Sequence, residues 1–98
     1  MILEIATLDT KPGTEAEFEA AVDAARPLFA RAKGYIGLDF RKSVETAGRY
    51  TLLIQWETLE DHTVAFRQSE DCAEWRRMVA PYVTGPAVVD HSAAIAPA

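Results

Sequence analysis

The sequence has a single cysteine, no long apolar run and fewer basic than acidic residues, and each scarcity removes a class of protein. Cys72 alone cannot close an intrachain disulfide or build a cysteine-based metal cluster, and it suits a reducing compartment. As a nucleophile it would need a histidine partner that sequence spacing does not supply, and a buried structural thiol is the plainer reading. No stretch is long enough to span a bilayer. The opening Met1–Thr10 lacks a basic start and a small-residue cleavage site, so neither a signal peptide nor a membrane partner is expected, and the expected location is cytoplasmic.

Lysine and arginine number 10 against 15 aspartate and glutamate, for a net charge of −5. The basic residues are not gathered, so a phosphate backbone would be repelled and no nucleic-acid partner is expected. There is no glycine-rich phosphate loop and no Gly-x-Ser-x-Gly elbow, which leaves nucleotide binding and serine hydrolysis without a signal. Glu57, His62, Asp90 and His91 could ligate a metal by residue type, but the two histidines are far apart in sequence and belong to no ligand motif, so no metal is expected.

What is present reads as one domain over residues 1–98. Its 98 residues suffice for one core and not two, and 49% apolar with 26% charged residues is ordinary globular composition. Ile2–Asp9 is short and rich in branched residues, and it is closed by Lys11-Pro12-Gly13, which predicts a strand. Thr14-Glu15-Ala16-Glu17 has the form of a capping box. Phe18, Val22, Ala25, Phe29 and Ala32 then recur at helical spacing, Pro27 predicts a bend and Gly34 a stop. Tyr35–Ser43 alternates, with Ile36, Leu38 and Phe40 on one face and Tyr35, Asp39 and Arg41 on the other. After the turn 44–48, Tyr50–Glu57 predicts a strand antiparallel to it, with Leu52, Ile54 and Trp56 on one side. Thr58-Leu59-Glu60-Asp61 opens a short helix with His62 and Phe66 one turn apart. Ser69-Glu70-Asp71 caps a second helix, in which Cys72, Trp75, Val79 and Tyr82 share a face. Residues 87–92 read as a last strand, and the tail 93–98 as flexible.

The order predicts an α+β fold, the ferredoxin-like βαββαβ pattern with a four-stranded antiparallel sheet. Two helices cover one sheet face only. Leu3, Ile5 and Leu53 alternate away from that face, so a second cover is needed, and a two-fold copy of the chain offers the same surface. A homodimer is therefore expected.

The stretch from Trp56-Glu57-Thr58-Leu59-Glu60-Asp61-His62 through Phe66-Arg67-Gln68-Ser69 to Trp75, Pro81 and Val88-Val89-Asp90-His91 resembles the antibiotic biosynthesis monooxygenase family, with the spacing from Trp56 to Ser69 its most specific part. The resemblance implies a dimeric α/β barrel that oxidises a small aromatic, quinol or polyketide-like substrate with dioxygen, without metal or flavin, so that no cofactor is expected. A haem-degrading branch uses an Asn on the first strand, a Trp in the short helix and a His in the next helix. Here the first strand has no Asn, Phe66 stands at the Trp position and Arg76 near the His, which argues against haem.

Within that reading His62 is the candidate proton acceptor, since an imidazole titrating near neutrality could deprotonate a phenol before its oxidation. Its plainer reading is a hydrogen-bonded structural histidine. Arg67 could hold a developing oxyanion, or simply pair with Glu70 or Asp71 at the surface. Phe40, Tyr50, Trp56 and Phe66 are candidate substrate-binding residues, with core or dimer packing as the alternative. His91 reads by default as an edge-strand residue pairing across the dimer. Two rivals to an enzyme stand beside it: a small-ligand-binding or stress-related homodimeric module, and a purely structural homodimer whose cavity its own side chains fill.

Overall fold

The computed structural model describes residues 1–96. Four strands, β1 (Ile2–Asp9), β2 (Tyr35–Lys42), β3 (Arg49–Trp56) and β4 (Val88–Ser92), form a sheet of order β2-β3-β1-β4 with antiparallel pairing throughout. Helices α1 (Glu15–Ala30) and α2 (Glu70–Val79) pack on one face, and a six-residue π-helical segment, Asp61–Phe66, joins β3 to α2. This is the α+β, ferredoxin-like order that the alternation patterns predict. Of the tail expected to be flexible, residues 93–96 are exposed beyond β4, and residues 97 and 98 lie outside the described residues.

Strand alternation decides what is buried. Ala6 and Leu8 of β1 face Leu52 and Tyr50 of β3 in register, and Ile54 and Trp56 continue that face. Against it α1 lays Phe18, Val22, Ala25, Leu28 and Phe29, all buried. Removing such large side chains from water contributes about 1.5–3 kcal/mol each, and this face is the core. Pro27 lies inside α1, which continues past it to Ala30 although proline lacks the N–H that would bond the Asp23 carbonyl. The opposite sheet face carries Leu3, Ile5 and Leu53, each half-buried, beside a shallow groove at Gly37 and Gln55.

Two local expectations are corrected. The capping box is not at Thr14, whose hydroxyl donates to the carbonyls of Lys11 (2.7 Å) and Tyr82 (3.4 Å) and so does not cap α1. A reciprocal box of that type forms instead at Thr58 and Asp61: the Thr58 N–H donates to the Asp61 carboxylate, and the Asp61 N–H to the Thr58 hydroxyl, each at 3.2 Å. Secondly, Ile36 does not share the face of Leu38 and Phe40. An irregularity between Tyr35 and Gly37 shifts the register, so that Tyr35 pairs with Trp56 on the core side and Ile36 is left exposed.

Candidate active site

Trp56 ends β3 fully buried, and two residues on Thr58 starts the capped turn that delivers His62 beneath the sheet's core face. The turn is wider than an α-helix, because the Arg67 N–H bonds the His62 carbonyl five residues back at 3.0 Å. Such π-turns displace side chains from the α-helical rows and occur often at functional sites. Here the imidazole stacks on the Trp56 indole, with centroids 5.4 Å apart, while Phe66 packs against Trp56 and Phe29.

Sheet topology supplies the partners. Because β1 lies between β3 and β4, Glu4 pairs with Ile54 on one side and with His91 on the other. Glu4 occupies a core-facing position and is only 5% exposed, and His62 is 6% exposed. The Glu4 Oε1 accepts the Trp56 indole N–H at 3.0 Å and lies 3.3 Å from His62 Nε2. His62 Nδ1 and His91 Nε2 are 2.8 Å apart. A chain of carboxylate, imidazole and imidazole thus runs from the interior to the half-exposed His91. With Glu4 ionised, the proton of neutral His62 sits on Nε2 facing the carboxylate, and Nδ1 accepts from the His91 N–H.

Burial governs the charges. It raises Glu4 above the ordinary carboxylate range, against the opposing pull of the Trp56 bond and the positive charge of Arg67. It pushes His62 down to about 4, with His91, Arg67 and Arg76 adding to the shift. At neutral pH His62 is therefore an uncharged imidazole, which corrects the expectation that it titrates near neutrality: it is free to accept a proton but is a weaker base than an ordinary histidine.

A cavity of about 660 Å³ opens beside this chain, between the sheet, α2 and the connection to β4. Leu8, Phe66, Trp75, Val79, Val83 and Val89 form most of its apolar wall, and His62, Arg67, Cys72 and Arg76 are the groups with chemistry on it. The connection is pinned to the end of β1 by the Lys11 N–H to the Tyr82 carbonyl (2.8 Å) and by the Thr84 N–H to the Asp9 carbonyl (2.9 Å), which holds the wall at Val83 in place. Cys72 is buried there and burial raises its pKa, so it remains a thiol.

Of the candidate residues, His62, Phe66 and Arg67 border the cavity. Trp56 stands behind His62, as its stacking partner. Phe40 and Tyr50 do not border the cavity. They stack on each other (5.3 Å) and pack at a tilt against Phe18 of the core, and the Tyr50 hydroxyl donates to Glu19 at 2.6 Å. Arg67 pairs with neither Glu70 nor Asp71; Asp71 is held by Arg31 at 2.6 Å. His91 lies on the edge strand β4, as read from sequence, and its ring is in addition the partner of His62. The grouping of Glu57, His62, Asp90 and His91 does not assemble, and among the described residues no set of three or more His, Cys, Asp or Glu is arranged to hold a metal. Glu4 escaped sequence reading altogether. Its signal was available, since strand alternation places it in line with the core positions Ala6 and Leu8, where an unpartnered carboxylate is costly.

Four antiparallel strands with two helices on one face, and a cavity bordered by one imidazole of a carboxylate–imidazole chain, define the class as ferredoxin-like α+β. Within that class the chain belongs to the antibiotic biosynthesis monooxygenase family, whose model matches residues 1–78. It is 42% identical over 91 residues to the uncharacterised protein YczJ of Bacillus subtilis (strain 168), covering 93% of this chain and 96% of that one. A crystal structure from Bordetella bronchiseptica, provisionally assigned to the same family, is 46% identical over 97% of both chains, with a TM-score of 0.93. SnoaB from Streptomyces nogalater, a cofactor-independent oxygenase, shares the fold with a TM-score of 0.82, covering 98% of this chain and 94% of that one, at 14% identity.

Proposed function

We propose that the protein is a cofactor-independent monooxygenase that oxidises a small aromatic or quinol-like molecule with dioxygen in the cavity beside His62. The observation that carries this reading is the neutral, buried imidazole on the wall of an apolar cavity, backed by a carboxylate, in a member of this family. The ligand's hydroxyl takes the place of His91 at His62 Nδ1 and gives up its proton there, and Glu4 steadies the imidazolium that forms. The resulting electron-rich anion, not the protein, reduces oxygen: a ring-flanked CH2 becomes C=O, one oxygen atom is retained, and the other leaves as water. Phe66 and Trp75 hold the flat ring, and the apolar wall keeps water from the reacting carbon.

The test is oxygen uptake by the purified protein against a panel of anthrones, hydroquinones and catechols, with and without chelator. Turnover that survives chelation and is lost in His62→Gln supports the reading. Uptake that chelators abolish, or that His62→Gln leaves unchanged, overturns it. Binding without oxygen uptake would move the assignment to a ligand-binding module.

The working unit in this reading is a homodimer, closed over Leu3, Ile5 and Leu53 on the uncovered sheet face. Light scattering should give twice the chain mass, and Leu53→Asp, which places a charge in that interface, should give the single-chain mass. A wild-type monomer at micromolar concentration refutes the dimer.

A further inference from the structure

The arginines of this acid-rich chain divide into two groups. Arg26, Arg31, Arg41, Arg49 and Arg77 each lie within ion-pair distance of a carboxylate. Among the described residues Arg67 and Arg76 have no such partner, and both border the cavity. They come from different elements, Arg67 from the end of the π-helical segment and Arg76 from α2, and the fold converges them on one opening. With acids in excess by five, pairing would be the easy outcome for an exposed guanidinium. These two instead leave a positive field over an otherwise apolar space. That field reaches the interior, since both arginines disfavour a proton on His62.

We infer that the cavity takes an amphipathic acid, an aromatic or acyl body carrying a carboxylate, with the body against Phe66 and Trp75 and the carboxylate held at the rim by Arg67 and Arg76. The planar guanidinium offers paired N–H donors that match the two oxygens of a carboxylate, and an apolar wall lowers the local dielectric, so the pairing is stronger there than in open water. An acid bound in this way also withdraws the positive field from His62 and makes the imidazole a better base, so the proper ligand would prepare its own proton acceptor. The inference rests on the cavity assigned above as an active site, but it concerns binding and needs no oxidation to be tested.

The experiment measures binding of naphthalene-2-carboxylate and of its neutral counterpart naphthalene-2-methanol to the full chain by calorimetry, at low and at high salt. The expected result is a preference for the carboxylate of about tenfold or more, equivalent to one strong ion pair, which shrinks with salt and disappears in the Arg67→Gln/Arg76→Gln double variant while the alcohol binds as before. Both arginines are exposed, so the variant keeps its fold, and circular dichroism checks this. Equal affinity for the two probes, a preference that survives the double substitution, or no binding of either at millimolar concentration overturns the inference. A clear acid preference without oxygen uptake by any substrate leaves this inference standing and sinks the monooxygenase reading alone.

Discussion

Burial of His62 ties the stability of the whole domain to pH. An imidazole free in the unfolded chain takes its proton near 6.5, while in the folded protein burial holds it down to about 4. A folded-state pKa below the unfolded one contributes stability that is present above 6.5 and is lost as pH falls toward 4. At about pH 5 the unfolded histidine is almost fully protonated and the folded one largely neutral, so the difference costs about 2 kcal/mol relative to neutral pH. For a domain of this length that corresponds to a fall in Tm of about 10 °C. Glu4 acts in the opposite sense. Its raised pKa lets the folded state bind a proton before the unfolded state does, which adds stability as the pH falls. The substitution His62→Gln removes the histidine contribution and keeps a polar side chain beside Glu4. Urea unfolding of wild type and variant at about pH 7.5 and about pH 5 provides the assay. The wild type should lose about 2 kcal/mol more than the variant between the two conditions, and parallel losses would refute the account of His62 as a buried neutral base.

Other expectations follow from single contacts. Gly34 adopts φ +79°, and a β-carbon there would run into the Asp61 carboxylate that caps the π-helical segment, whereas Gly13, at φ +82°, has open space around it. Gly13→Ala should therefore cost about 1–2 kcal/mol, the left-handed backbone penalty alone, and Gly34→Ala distinctly more; equal losses in thermal unfolding would contradict the contact. Trp56→Phe removes the indole N–H that bonds buried Glu4 and should cost about 1–3 kcal/mol in urea titration. It should also raise the Glu4 pKa further, because that bond lowers it, and an unshifted carboxylate in NMR titration would oppose the assignment. Ser69→Ala removes the acceptor of the Cys72 N–H at the start of α2 and should cost about 1 kcal/mol.

Period-two alternation in Ile2–Asp9 and Arg49–Trp56 and the helical stripe from Phe18 to Phe29 determine the element order by themselves, because each pattern has one arrangement that buries its apolar side chains. Ser69 as a helix cap, the exposed second sheet face and His62 near the core are legible on the same grounds. The capping signature occurs at both Thr14 and Thr58, and local sequence does not tell them apart. At Thr14 the carbonyl of Tyr82, brought from 68 residues away, shares the hydroxyl, and only Thr58 keeps its box. The shift at Ile36 likewise depends on how β2 meets β3, not on β2 itself. The site is the clearest case. Glu4, His62 and His91 are spread along the chain without a motif, and they meet because β1 is central with β4 beside it and a π-turn swings His62 underneath. The sequence alone determined a two-helix, four-strand domain with an apolar core and a histidine close to it. Tertiary structure decided that this histidine is neutral, that a carboxylate stands behind it and that two arginines without a carboxylate partner among the described residues stand at its cavity. Strand order and burial set those distances and charges, and neither is a local property of the chain.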